Sequence, residues 1–157
     1  MWQARSQLLK KMIITVMSAL WFGAAPAWAV LGESIDSVRS DHQRLQGQLV
    51  ETARQGYSLH QITASDGAIV KEYVSPQGKV FGVSWQARTM PDLRQLLGSY
   101  FGEFQQQASQ ASQRRHGPLL VRTDHVVVES GGHMRAFRGR AFVPSLMPDA
   151  VTPEVVQ

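Results

Sequence analysis

The chain has no cysteine among its 157 residues. Disulfides, a cysteine nucleophile, cysteine zinc ligands and the lipid-modified cysteine of a bacterial lipoprotein are therefore all excluded. The fold has to be stabilised by an apolar core alone, which a chain of this length can bury. We expect one domain without covalent crosslinks, bound metal or cofactor.

Motifs that mark catalytic or metal sites are also missing. The five histidines show neither the His-x-His nor the His-Glu-x-x-His spacing that would place two imidazoles on one zinc ion. They are His42, His60, His116, His125 and His133. There is no Gly-x-Ser-x-Gly nucleophile elbow, and the glycines of Gly98–Gly102 lie within a predicted helix, where they would let it approach a sheet. No catalytic residue is predicted.

No uncharged apolar run reaches the roughly 20 residues that span a bilayer. The longest such run begins at Met12 and is interrupted by Pro26. It follows a basic segment and precedes Ala27-Trp-Ala29, the small-x-small pattern that signal peptidase cleaves. We predict a signal peptide over 1–29, recognised by the general secretory route because these residues contain no twin-arginine pair. A retained membrane anchor is the alternative.

Excess positive charge is concentrated in that predicted leader. Three of the 16 basic residues and none of the 12 acidic ones lie in 1–29, so 30–157 carries 13 basic and 12 acidic residues. A nearly neutral mature chain lacks the charge excess typical of nucleic-acid binding. We predict no nucleic-acid partner and no membrane span after processing. The oligomeric state is left open.

Helical periodicity occurs twice. In 34–46 the apolar residues recur at spacings of three, four and seven before Gly47, which predicts an N-terminal helix. In Leu93–Phe104 a full amphipathic stripe predicts a second helix, with Thr89 and Asp92 forming its N-terminal cap. We expect the second helix to cover a sheet.

Two turn motifs predict a three-stranded antiparallel meander. Asp66-Gly67 favours a two-residue hairpin, and Ser75-Pro-Gln-Gly-Lys79 favours a turn with glycine in the left-handed region. The strands would be 57–64, 68–74 and 79–86, with Lys71 opposite Ile62 and Val83. One face would then carry the core, with Lys71 as its one charged member: His60, Ile62, Ile69, Lys71, Tyr73, Phe81, Val83 and Trp85.

The rest of the chain predicts a polar linker, a hairpin and a tail. Residues 105–118 are rich in glutamine and serine, and prolines recur in 144–157, which predicts a flexible tail. Strands are expected over 119–129 and 133–143, turned at Gly131-Gly132. The whole is a single α+β domain over 30–143, an antiparallel sheet packed against one amphipathic helix, with the further N-terminal helix.

Two blocks of this sequence resemble a known bacterial family. The stretches Val70–Trp85 and Pro91–Phe101 are similar to the short, signal-bearing exported proteins grouped as domain of unknown function 2844, and the likeness runs from about Leu31 to Phe104. The resemblance implies export. It implies no activity and no ligand residues.

Charged side chains on the predicted strands supply candidate binding residues. Arg135, Arg138 and Arg140, with Arg122 on the neighbouring strand, could form a patch for phosphate or carboxylate groups. Glu72 is expected on the outer face opposite Gly82, where it could bind a cation of a partner. The alternative is that all five are ordinary solvated side chains.

These observations favour a non-enzymatic binding or accessory module of the cell envelope, periplasmic or secreted, whose partner is an envelope protein or an anionic envelope component. A small periplasmic or secreted hydrolase that uses one of the histidines is the second hypothesis. A chain that folds only on its partner is the third, suggested by the polar linker and the tail.

Overall fold

A computed structural model of the chain describes residues 31–36, 47–112 and 117–157. The predicted leader, with Ala27 and Ala29, and positions 37–46 of the predicted N-terminal helix lie outside these residues. Of that helix only 34–36 are described, and there Ser34 forms an isolated β-bridge with Lys79. Leu31 is buried in the core.

The described chain forms a seven-stranded antiparallel sheet with helix on one face. Its order is β1-β2-β3-β4-β7-β6-β5, and the predicted meander lies within it as β2 to β4. The strands are β1 (Gln48–Arg54), β2 (Tyr57–Thr63), β3 (Ile69–Val74), β4 (Val80–Ala87), β5 (Leu119–Arg122), β6 (Val127–His133) and β7 (Ala136–Phe142). An antiparallel sheet beside a helix was expected, but the sheet is larger than the sequence predicted.

Two differences account for the larger sheet, and a third moves its last turn. β1 was missed because Gln, Glu, Ala and Arg, which make up much of it, favour helix over strand. The predicted strand 119–129 is two strands, because the Thr123 hydroxyl accepts from the Val126 amide and closes a turn. The last hairpin turns at Met134-Arg135, since His133 pairs with Ala136, and Gly131-Gly132 are strand residues.

The turns of the meander form where predicted, but the register is shifted by one residue. In the first hairpin Ala64 bonds to Ala68 across a three-residue loop, which the prediction had taken as two residues. The second hairpin begins in the predicted register at Val74–Val80. A β-bulge at Phe81 then shifts the remaining pairs.

This shift divides the predicted core face between the two sides of the sheet. Val83 and Trp85 pack under the helix together with Leu97, on the side that we call the helix face. Tyr73 and Phe81 pack on the opposite side, the tail face. The prediction of one aromatic face is wrong, because the assumed register had neither the three-residue loop nor the bulge.

The amphipathic stripe forms two helices, α1 (Leu93–Leu97) and α2 (Phe101–Ser112), joined by a 3₁₀ turn. The side chain of Asp92 caps α1 by accepting from the Arg94 amide, so Thr89 is not the cap. α2 continues to Ser112 through part of the predicted linker 105–118, because Gln and Ala are good helix formers and Ala108 packs against the core.

Residues 144–157, predicted to be a flexible tail, instead cover the tail face of the sheet. Val151 and Val156 are buried against Tyr73 and Phe142. Val156 sits directly over Gly82, where a Cβ would come within 2.8 Å of it. Prolines therefore shape this segment into short 3₁₀ turns without releasing it from the core. Neither α1 nor α2, nor any other helix in the described ranges, is long and apolar enough to cross a bilayer.

Glycines at two positions give a matched test of this packing. A Cβ on Gly139 would overlap the Trp85 ring and the Glu129 carbonyl oxygen, whereas a Cβ on Gly102 would meet nothing within 4 Å. We expect Gly139→Ala to lower the free energy of unfolding by about 1–3 kcal/mol. Gly102→Ala, inside α2, should raise it by about 0.5–1 kcal/mol.

Urea unfolding followed by circular dichroism measures both changes. Equal effects of the two substitutions would contradict the close packing of Trp85 on Gly139. A gradual, non-cooperative transition of the unmodified chain would instead favour the hypothesis that it folds only on a partner.

Candidate functional site

Side chains on the tail face form three rows that run across the strands. The first row is apolar and is covered by 144–157: Leu59, Tyr73, Gly82, Phe142 and Val127. The second is polar: Gln61, Lys71, Ser84, Arg140 and Glu129. The third is Thr63, Ile69, Gln86, Arg138 and Gly131. Each row crosses five strands and is therefore about 19 Å long.

The second and third rows are the floor of a groove with a volume of about 560 Å³. Residue Gln157 bounds the groove on the side of the tail, and Pro118 lies on the opposite side. Its charged side chains are Lys71, Arg138, Arg140 and Glu129, which gives three positive charges against one negative. The groove is the candidate functional site, because polar side chains converge there on open space.

Arg140 is a structural member of this groove. Its Nε donates to Glu129 Oε2 at 2.9 Å, and its Nη1 donates to the carbonyl oxygens of Pro153 at 3.3 Å and Val156 at 3.1 Å. The guanidinium thus joins β6, β7 and the tail. Its charge is balanced by Glu129.

The end of the tail is held by Lys71 and Tyr73. Lys71 Nζ donates to the main-chain oxygen of Gln157 at 3.0 Å, and the Tyr73 hydroxyl donates to the same oxygen at 2.7 Å. The Gln157 amide donates in turn to the Tyr73 hydroxyl at 3.0 Å. Lys71 therefore lies on the tail face and not on the helix face, where the prediction had placed it.

Arg138 is the cation that the groove leaves available. It is exposed, it lines the groove beside Gln86, and among the described residues it makes no hydrogen bond or ion pair. Its guanidinium can therefore give its full set of donors to a ligand.

The other two predicted arginines lie elsewhere. Arg135 is at the tip of the β6–β7 hairpin with φ of 67°, outside the groove. Arg122 is exposed on the edge strand β5, beside a separate depression lined by Gln107 and Leu120. The structure therefore brings together Arg138 and Arg140 but does not form one patch from the four arginines.

Glu72 is not on an outer face, as the prediction had it. It is 1% exposed and lies on the helix face, between His60 on β2 and Val83 on β4. The one-residue register shift exchanged the sides of Glu72 and Lys71. Buried in this way, Glu72 cannot receive a partner's cation at the surface.

A second candidate group of polar side chains surrounds His60. The Ser58 hydroxyl lies 3.1 Å from His60 Nε2, and Glu51 Oε1 lies 3.5 Å from His60 Nδ1. All three are on the helix face of β1 and β2. His60 is 2% exposed and Glu51 is 57% exposed. The order serine, histidine, carboxylate is that of a hydrolase triad, with a longer histidine–carboxylate contact than a hydrogen bond has.

Sequence reasoning missed Gln61, Ser84, Gln86 and Tyr73 as members of a site. Their convergence depends on the true register and on the position of the tail, and neither is encoded by a local motif. No cluster of three or more His, Asp or Glu side chains that could bind a metal occurs in the part of the chain that the structure describes.

Alanine substitution separates the two arginines of the groove. Arg140→Ala should lower the free energy of unfolding by about 2–3 kcal/mol, because it removes charge-assisted hydrogen bonds to Glu129 and the tail. Arg138→Ala should change it by less than about 0.5 kcal/mol. Urea unfolding measures both, and similar losses for the two variants would contradict the structural assignment of Arg140.

Comparison with known proteins adds one match. The family model described as "Protein of unknown function (DUF2844)" matches residues 27–156. No curated protein and no solved structure matches the chain. The matched range includes every strand, both helices and nearly all of the tail. On this match, the chain belongs to the family described as "Protein of unknown function (DUF2844)".

Proposed function

We propose that this protein is an exported, non-enzymatic binding module of the bacterial cell envelope, and that the groove on the tail face binds an anionic ligand. The observation that carries the proposal is Arg138, an exposed guanidinium without a partner among the described residues, in a groove with excess positive charge.

The charge balance of the groove supports an anion over a cation. Arg140 is neutralised by Glu129, Lys71 donates to the main-chain oxygen of Gln157, and Arg138 has no counter-ion among the described residues. The positive charge of Arg138 thus faces the groove without a carboxylate partner among those residues. Carboxylate and phosphate groups fit the planar fork of an arginine, and each such bidentate contact is charge-assisted.

Export is supported by the predicted leader. Its basic start, short apolar run and Ala27-x-Ala29 pattern are those of a secretory signal. The family match begins at residue 27, so the apolar run lies outside the matched range. Envelope lipids and acidic polymers carry phosphate and carboxylate groups, which are the ligands that the groove fits.

Binding to defined anions tests the groove. We expect the domain to bind one or more of poly-L-glutamate, oligogalacturonate and phosphatidylglycerol vesicles, with an affinity that falls as salt is added. Arg138→Ala should weaken that binding about 10-fold or more, the loss expected for one charge-assisted contact. Equilibrium titration by fluorescence anisotropy or co-sedimentation measures it.

Arg122→Ala is the matched control, since it removes the same charge from an exposed position outside the groove. It should leave the dissociation constant within about 2-fold. Equal weakening by both substitutions would mean that the net charge of the protein, and not the groove, attracts the anion. Absence of binding to all three probes would contradict the proposal.

A small hydrolase is the second candidate, favoured by the contact between Ser58 and His60. In an ester hydrolysis, Ser58 Oγ would attack the carbonyl carbon while His60 Nε2 accepts its proton and then returns it to the leaving alcohol. Water would release the acyl group by the same two steps. Glu51 would orient the imidazole, although its carboxylate is exposed and 3.5 Å away.

A fluorophosphonate probe distinguishes this candidate from a binding module. A triad serine reacts covalently with the probe, and labelling that is lost in Ser58→Ala would establish the hydrolase. We expect the unmodified protein to be labelled no more than Ser58→Ala, and Ser99→Ala, the control at an exposed serine of the 3₁₀ turn, to give the same level as the unmodified protein. Intact-mass spectrometry detects the adduct.

A further inference from the structure

The hydrogen bonds between the rim of the groove and the tail show which groups of a ligand the rim can bind. Arg140 contacts the carbonyl oxygens of Pro153 and Val156, and Lys71 and Tyr73 contact the main-chain oxygen of Gln157. Tyr73 also accepts from the Gln157 amide. All these contacts are to main-chain atoms of the tail and none is to its side chains.

Within 153–157, the part of the tail that makes these contacts, only one side chain is buried. Val156 is fully buried over Gly82, within the apolar row that includes Tyr73 and Phe142. The tail is therefore bound as a peptide ligand would be, with main-chain hydrogen bonds along its length and one apolar side chain in a pocket.

Beside Gln157, the groove is lined by further polar side chains that do not contact the tail. Gln61 and Gln86 line it, and among the described residues their amide groups make no side-chain hydrogen bond. A primary amide donates and accepts, so it can pair with the C=O and N–H of one peptide unit. The groove has space for about six extended residues along its row length of about 19 Å.

Arg138 adds a charge preference to this main-chain recognition. It lies next to Gln86 across β4 and β7, so one ligand can contact both. The tail itself carries an acid at this edge, since Glu154 is near Arg140. A hydrogen bond from the Thr152 side chain lowers the pKa of Glu154 most, and the charge of Arg140 acts in the same direction.

We infer that the groove is a peptide-binding site and that its ligand is an extended acidic segment of another protein. Gln61 and Gln86 would bind the main chain, and Arg138 would bind a carboxylate side chain. The inference rests on the proposed function, because it names the ligand class of the same groove. The contacts to the tail favour a peptide over a glycan, since they recognise amide and carbonyl groups in sequence.

Three labelled probes test the inference on the unmodified domain. They are a seven-residue peptide of alternating Glu and Val, the same peptide with Gln in place of Glu, and oligogalacturonate, which carries carboxylates without a peptide main chain. We expect the acidic peptide to bind most tightly, with each of the other two about 10-fold weaker or more. Fluorescence anisotropy measures the three dissociation constants.

Variants then locate the contacts. Arg138→Ala should weaken the acidic peptide about 10-fold but change the Gln peptide by less than about 2-fold, because the lost contact is to the carboxylate. Gln86→Ala should weaken both peptides by the same factor, since its contact is to the main chain. Arg122→Ala should change neither.

The outcomes separate this inference from the proposed function. Binding of oligogalacturonate as tight as that of the acidic peptide, with loss in Arg138→Ala, would overturn the peptide class and leave an anion-binding groove. Peptide binding that does not depend on Arg138 or Gln86 would overturn the inferred contacts. Absence of binding to all three probes would overturn this inference, and lipid vesicles would then be the remaining test of the proposed function.

Discussion

The β-bulge at Phe81 is the constraint on which both faces of the sheet depend. A bulge lets two consecutive residues point to the same side, so Phe81 and Gly82 both contribute to the tail face. Gly82 then leaves room for Val156, while the next residues, Val83 and Trp85, return to the helix face in alternation. The groove residues of β4 and β7 take their positions from this register.

The tail and the groove are two parts of one surface. The apolar row of the tail face needs a cover, because Tyr73 and Phe142 would otherwise be exposed to water. Residues 144–157 provide that cover, and the polar rows beside it remain open. At the boundary between the two lie Arg140, Lys71 and Tyr73, which hydrogen-bond to the main chain of the tail. The contacts that stabilise the tail thereby also form the rim of the groove.

The charged residues divide into structural and available groups. Arg140 donates hydrogen bonds to Glu129 and to the tail, and Glu72 is buried on the helix face. Arg138 and Gln86 make no comparable contacts within the described part of the chain. Arg138 and Arg140 are two residues apart on β7 and face the same side of the sheet. Their roles differ because Arg140 lies in the second row, where it contacts Glu129 and the tail, whereas Arg138 lies in the third row.

Local sequence determined the two turns of the meander and the helical stripe of this protein. Asp66-Gly67 and Pro76-Gln-Gly78 fix backbone dihedral angles over three or four residues, and the stripe from Leu93 repeats at the helical period, so these features need no distant partner. The resemblance to the family was likewise found in local sequence, in Val70–Trp85 and Pro91–Phe101. Only the tertiary structure decided the register, the sides of Lys71 and Glu72, the cover by 144–157 and the addition of β1. Each of these depends on contacts between segments far apart in the chain, such as Val156 on Gly82 and Gln157 on Tyr73, and no local preference encodes them.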